Sequence, residues 1–136
     1  MNDGFHTLSH VEGKGYPWVV DVELIAEWLN ASDDSTYDQV MAALRVLASV
    51  GPALGRPLVD TIFGSRHNNM KELRPGSSGR SEVRILFAFD PTRRAILLLA
   101  GDKQGRWDKW YRKNISVADD RYDEHLESLR KQKGGD

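Results

Sequence analysis

The basic residues of this chain carry most of its chemical information, and Arg84 shows why. It stands between Val83 and Ile85 in an apolar run, flanked along the chain by Lys71, Arg74, Lys103 and Tyr111. A guanidinium among apolar neighbours is costly unless a carboxylate or a solvated anion meets it. One reading pairs Arg84 with Glu72 or Glu82; the other aims it into a concave site, where it grips a phosphate with two N–H bonds. Cleaving RNA without a metal needs a base for the 2′-hydroxyl proton, cations for the charge growing on the phosphorane, and an acid for the leaving 5′-oxygen. Arginine and lysine fill the second role, and a tyrosine or a desolvated lysine joins the proton transfers. Arg84, Lys103, Arg74, Lys71 and Tyr111 are therefore the candidate catalytic set. Arg80, Arg94, Arg106 and Arg112, with the rings of Trp107 and Trp110 stacking on splayed bases, form a candidate RNA-binding fringe. The competing reading of the three aromatic residues is structural: Trp107, Trp110 and Tyr111 anchor a last helix to a sheet. His67 is an alternative proton donor, against the plainer reading of an exposed loop histidine.

The charge is unevenly spread. From Arg66 to Lys113 twelve lysines and arginines face five carboxylates, whereas Val19 to Asp60 holds seven carboxylates and two arginines, within a total of −1. Such a dipole suits polyanion binding on the basic side, where the near-neutral sum alone would argue against it. Ordinary solvated faces are the alternative.

Other chemistries are not encoded. There is no GxxxxGK[ST] loop, GxSxG elbow or HExxH, and with zero cysteines no thiolate site. His6 and His10 have a metal-ligand spacing only if helical, and Gly4, Gly13 and Gly15 argue against a helix. Neither a metal nor a cofactor is expected. No stretch reaches the ~20 apolar residues of a membrane span, and MNDGFHTLSH lacks the apolar core of a signal peptide. With 136 residues, 40% hydrophobic and 29% charged, the chain reads as one globular domain, with flexible ends at 1–15 and 132–136.

The elements that must position the cations follow from periodicity. Lys71–Arg74, Glu82–Phe89 and Ala95–Ala100 read as strands of an antiparallel meander, joined by the Gly-bearing Pro75–Gly79 loop and a tight turn over Asp90–Arg94. Tyr16–Asp21 reads as a first strand. Asp21 then caps a helix carrying Leu24, Ile25, Trp28 and Leu29, and a second helix runs from Ser35 to Val50, stopped by Gly51-Pro52. Gly51–Gly64 reads as a loop with a short apolar run. Ser116 or Asn114 caps a last helix, Val117–Lys131, with Val117, Tyr122, Leu126 and Leu129 on its apolar face.

Glu72-Leu73-Arg74, the run from Val83 to Asp90, Arg94, Ile96-Leu97-Leu98 and Lys103 together resemble the RelE/HigB toxin superfamily, in its phage-derived HigB-like branch. The resemblance covers the second half of the chain well and the first half as a helix-rich outline. It implies an α+β fold: an N-terminal strand and a two-helix hairpin packed on an antiparallel sheet, with a C-terminal helix. It also implies the toxin of a type II toxin–antitoxin system, a cytoplasmic endoribonuclease that cuts messenger RNA on the ribosome. A cognate helix-turn-helix antitoxin, HigA-like, would silence it in a hetero-oligomer. Arg84 matches the family's phosphate-binding strand arginine, Arg74 the basic residue ending the preceding strand, and Lys103 the lysine after the last strand. The segment after Lys103 departs from the branch, which continues with a lysine and a threonine where this chain has Gln104-Gly105-Arg106-Trp107; this touches the role of Tyr111 most. Two rival readings are a ParE-like poison of a protein such as DNA gyrase, and a phage-derived nucleic-acid-binding regulator.

Overall fold

A computed structural model describes residues 16–76, 81–105 and 107–134. His6, His10, Arg80, Arg106 and the side chain of Trp107 lie outside the described part, as do residues 1–15 and 135–136; of the C-terminal end expected to be flexible from 132 to 136, residues 132–134 are helical.

Five strands form one sheet: β1 (Val19–Asp21), β2 (Val59–Thr61), β3 (Lys71–Leu73), β4 (Val83–Phe89) and β5 (Arg94–Asp102), in the order β1-β5-β4-β3-β2. Neighbours are antiparallel except β1, which runs parallel to β5, so the sheet is mixed. The helices are α1 (Ala26–Ala31), α2 (Asp34–Val50) and α3 (Trp107–Gly134). The α+β arrangement of strand, helical hairpin, sheet and C-terminal helix is the one expected.

Local chemistry sets the helix ends. Asp21 Oδ1 accepts the Glu23 N–H at 3.0 Å, opening a 3-10 turn (Glu23–Ile25) that leads into α1. Asp33 caps α2 by accepting the Thr36 N–H at 2.7 Å, and this hydrogen bond pulls its carboxyl below the usual range. Gly51 ends α2 with φ 74°, and a Cβ there would sit 2.3 Å from the Trp18 ring, so the turn accepts only glycine.

Alternation along the strands sends side chains to two covered faces. Leu73, Ile85, Phe87, Ala95 and Leu97 pack with Leu29 of α1 and with Val40, Leu44 and Leu47 of α2. Met70, Leu86, Ala88, Ile96 and Leu98 pack with Ala118 and Tyr122 of α3. A β-bulge by Leu86/Phe87, opposite Leu97 and Leu99, puts the consecutive Leu98 and Leu99 in the same α3-side core.

Two elements differ most from expectation. Val59–Thr61 is a paired edge strand rather than loop; three residues are too few to show a period. The last helix starts at Trp107, not Val117, and runs on to Gly134, past its expected end at Lys131. Asn114 does not cap it: its side-chain amide donates to the Trp110 carbonyl at 2.9 Å, inside the helix. Trp110, Tyr111 and Ile115 extend the apolar stripe toward the N-terminus, so burial carries the helix through the basic segment.

Candidate functional site

Glu72 is the centre of the polar cluster. It lies mid-β3, paired with Leu86 of β4 and Asp60 of β2, on the face covered by α3, and only 3% of it is exposed. Tyr111 of α3 donates its hydroxyl to Glu72 Oε1 at 2.6 Å. Arg74, just after β3 and on the same face as Glu72, donates to Oε2 from Nε at 3.0 Å and from Nη2 at 2.8 Å. Its Nη2 also reaches Asp60 at 3.2 Å. Arg84, opening β4, brings Nε to 3.8 Å from Glu72 Oε1. Arg84 Nη1 donates to the Val83 and Ser81 carbonyls at 2.8 and 3.3 Å. Its buried Nε–H has no hydrogen-bond partner among the described residues. Such a group costs on the order of 1–3 kcal/mol until an acceptor arrives, which an anionic oxygen can be.

Burial pushes the Tyr111 phenol up to about 12, with the hydrogen bond to Glu72 and its charge acting in the same direction. Tyr111 therefore holds its proton throughout the neutral range. For Arg74, burial alone would lower the pKa; hydrogen bonding and charge from Glu72, with the charge of Asp60, outweigh it and keep the guanidinium charged.

Three of the five candidate catalytic residues, Arg74, Arg84 and Tyr111, thus converge. Lys103 is not among the residues that meet at Glu72 in the described contacts: its side chain is fully buried and Nζ donates to Glu82 Oε1 at 2.7 Å. That hydrogen bond holds the Glu82 carboxyl below the usual range. Lys71 is on the opposite face, reaching the Pro52 carbonyl at 3.5 Å, because it is one residue out of phase with Glu72. Arg94 opens β5 beside β1, where it stands 3.6 Å from Asp21. The expectation of open cations is corrected by this geometry: the strand arginines stand beside carboxylates, Arg84 near Glu72 as its pairing reading has it.

Trp110 takes the structural role. It packs in the α3-side core, lies T-shaped on Tyr111 with centroids 5.2 Å apart, and covers Gly101, where a Cβ would approach its ring to 3.1 Å. His67 is committed to Asp123 at 2.7 Å and to an edge contact with the Tyr122 ring. Arg112 is exposed and, with Tyr111, lines a cavity of about 560 Å³. Glu72 was considered only as an ion-pair partner; its spacing two residues before Arg74 on a strand was the available signal that both share a face. No cluster of three or more metal-ligating His, Cys, Asp or Glu side chains occurs among the described residues. No helix among them is long and apolar enough to cross a membrane.

Fold and cluster together define a small RelE-like α+β protein with a carboxylate–arginine–tyrosine site where its C-terminal helix crosses the sheet. Residues 27–123 match the family described as "Phage derived protein Gp49-like", and the chain belongs to that family. It is 64% identical over 109 residues to the protein named "Putative toxin HigB2" of Mycobacterium tuberculosis (strain ATCC 25618 / H37Rv), covering 80% of this chain and 54% of that one. To "Putative toxin HigB3" of the same organism it is 46% identical over 110 residues, 81% of this chain and 94% of the relative. The chain thus spans about half the length of the first relative and nearly all of the second. No solved structure matches it. The HigB-like resemblance read from the strand and arginine pattern holds.

Proposed function

We propose that this protein is the toxin of a type II toxin–antitoxin pair, a cytoplasmic endoribonuclease that cuts messenger RNA on the ribosome without a metal and is silenced by a helix-turn-helix antitoxin. The observation that carries the reading is the convergence of Tyr111, Arg74 and Arg84 on the buried carboxylate of Glu72. Kinship with the two HigB-named proteins supports the toxin half of it.

Glu72 takes the 2′-hydroxyl proton as that oxygen attacks the adjacent phosphorus. Arg84, through its uncommitted Nε–H, and Arg74 bind the phosphorane oxygens as negative charge grows there. Tyr111 gives its hydroxyl proton to the departing 5′-oxygen, leaving a 2′,3′-cyclic phosphate. Glu72 then returns its proton to the Tyr111 oxygen along the hydrogen bond that joins them, restoring the starting state. A buried carboxylate and a phenol held protonated thus act as separate base and acid. Lys103, buried and bonded to Glu82, steadies the segment that leads into β4 and Arg84.

The test is inducible expression with mapping of transcript 5′ ends, in wild type and in Arg84→Ala. Wild type arrests growth and cuts within translated messages, and soluble, folded Arg84→Ala cuts about a hundredfold less. Should folded Arg84→Ala still arrest growth with no cuts in either strain, the poison of a protein target replaces this reading.

A further inference from the structure

The cavity beside the Glu72 cluster is not used by the chemistry above. Its walls are the β2–β3 connection, with Phe63, Gly64 and Arg66, and the N-terminal half of α3, with Asp108, Tyr111 and Arg112. We infer that it is a nucleobase subsite, taking one unpaired base of the single-stranded RNA next to the scissile linkage, stacked on Phe63.

Four observations lead there. Phe63 is 84% exposed, the most exposed large apolar side chain among the described residues, and it stands at the rim of this cavity rather than alone on an open surface. A lone exposed phenylalanine is unremarkable; one that walls a concave site offers a stacking platform.

Next, the volume of about 560 Å³ is in the range of sites that hold small ligands.

The lining also distinguishes a base from a phosphate. Arg66 is engaged by Asp120 at 3.0 Å and Asp123 at 2.5 Å, with Asp119 at 3.9 Å, so its charge is neutralised where it stands. Asp108 at the mouth adds an exposed acceptor. Arg112 is the uncommitted cation of this wall among the described residues. One free guanidinium, one free carboxylate and a flat ring suit a neutral heterocycle with donors and acceptors, plus a single flanking phosphate; they do not suit a polyphosphate.

Finally, the walls are pinned together. Buried Asp119 of α3 accepts from Ser65 Oγ at 2.5 Å and from the Arg66 N–H at 2.9 Å, fixing the Phe63-bearing connection against the helix. A preformed cavity spares the ordering cost that an open loop would impose on a ligand. Tyr111 belongs to both the cavity wall and the cluster, so a base seated here leaves its sugar–phosphate link at Glu72.

The inference rests on the endoribonuclease reading, and two measurements separate their failures. In the 5′-end map, Phe63→Ala cuts about ten- to a hundredfold less and with a flattened base distribution beside the cut, while Phe63→Trp keeps both. Because Phe63 is exposed, the melting temperature stays at the wild-type value. Independently of cleavage, protein labelled with 4-fluorophenylalanine is titrated with a short mixed-sequence 2′-deoxy oligonucleotide that cannot be cut. The Phe63 fluorine resonance, assigned by its absence in Phe63→Ala, shifts on saturation while those of buried Phe87 and half-buried Phe89, both packed in the hairpin-side core, do not. A Phe63 shift without cleavage by wild type sinks the enzyme and keeps the base site. Cleavage by Phe63→Ala at the wild-type rate and distribution, with an unmoved Phe63 resonance, sinks the base site and keeps the enzyme.

Discussion

Ile85, Phe87 and Leu97 turn toward the helical hairpin and meet Leu29, Val40, Leu44 and Leu47. On the other side of the same strands, the α3 interface mixes apolar packing with directional bonds between charged groups. Four polar or charged residues are buried among those described, and three of them bond across that interface: Glu72 to Tyr111, Asp90 to His125, and Asp119 to Ser65 and Arg66. The hairpin face is held by area, which is strong and non-directional. The α3 face is held by partners, which add little net stability because each charge gives up its hydration, but which fix where the helix sits. Every proposed catalytic contact is on the second face, where position matters more than strength.

That contrast is tested first by its largest consequence. Glu72→Gln keeps one acceptor oxygen where the carboxylate had two, for Arg74 and for Tyr111, and cannot take a proton, so cutting per folded molecule falls about 10²- to 10⁴-fold, at a cost of about 1–3 kcal/mol in stability. Wild-type cleavage by this variant would make the α3 face scaffold only. Phe87→Ala does the reverse on the hairpin face: a fully buried ring is lost, and urea unfolding should show about 3–5 kcal/mol less stability. At temperatures where the variant stays folded, its cutting per folded molecule is unchanged. A loss of cutting per folded molecule in Phe87→Ala as deep as that in Glu72→Gln would erase the distinction between the faces.

The hairpin face was largely legible in the sequence. The α2 stripe and its Gly51 stop, and the cores of β4 and β5, follow from alternation and helical spacing, and each lies within a few residues of its observed bounds. The α3 face was legible in part. Arg74 and Arg84 stand out because charge interrupts an apolar run. Lys71 looks equivalent to them by charge, but strand parity relative to Glu72 puts it on the other face. Glu72 is legible as a partner for Arg84 but not as a meeting point for Arg74 and Tyr111, because an isolated strand carboxylate looks like any surface acid until α3 is laid over it. The cavity was invisible for the same reason: Phe63 and Tyr111 are brought together by Asp119 gripping a loop more than fifty residues away, and no local period records that.

A smaller effect refines the α3 face itself. Tyr111→Phe removes the proposed acid while leaving the ring packed on Trp110, so cleavage falls about a hundredfold. Burial and Glu72 raise the phenol to about 12 from 10.0, so wild-type cleavage shows no alkaline loss from this group until well above pH 10. Alkaline absorbance titration of Tyr111→Phe should lose one late-ionising phenol. An unshifted phenol at position 111 would mean that it is not held against Glu72, and the return of the proton from Glu72 would have no path.

The least of these effects falls at the far end of α3, where no chemistry is proposed. Asp90 Oδ1 accepts from the Thr92 and Arg94 N–H groups and from the Thr92 hydroxyl, while Oδ2 meets His125 at 2.7 Å. Burial alone would raise this carboxyl, but the hydrogen bonds from His125, Arg94 and Thr92 together prevail and hold it below 3.8. A carboxyl depressed in the folded state contributes stability that is complete above its unfolded pKa and is lost as pH falls through its folded one. Wild type should therefore lose this contribution as pH drops below about 4. Asp90→Asn should cost about 1–3 kcal/mol at neutral pH and show a shallower acid limb, because the asparagine does not titrate. Cutting per folded molecule stays at the wild-type level, since this bond anchors α3 without touching Glu72. If Asp90→Asn instead depresses cleavage as far as Tyr111→Phe does, α3 transmits its anchoring to the site, and the partnered face acts as one unit rather than as separate fastenings.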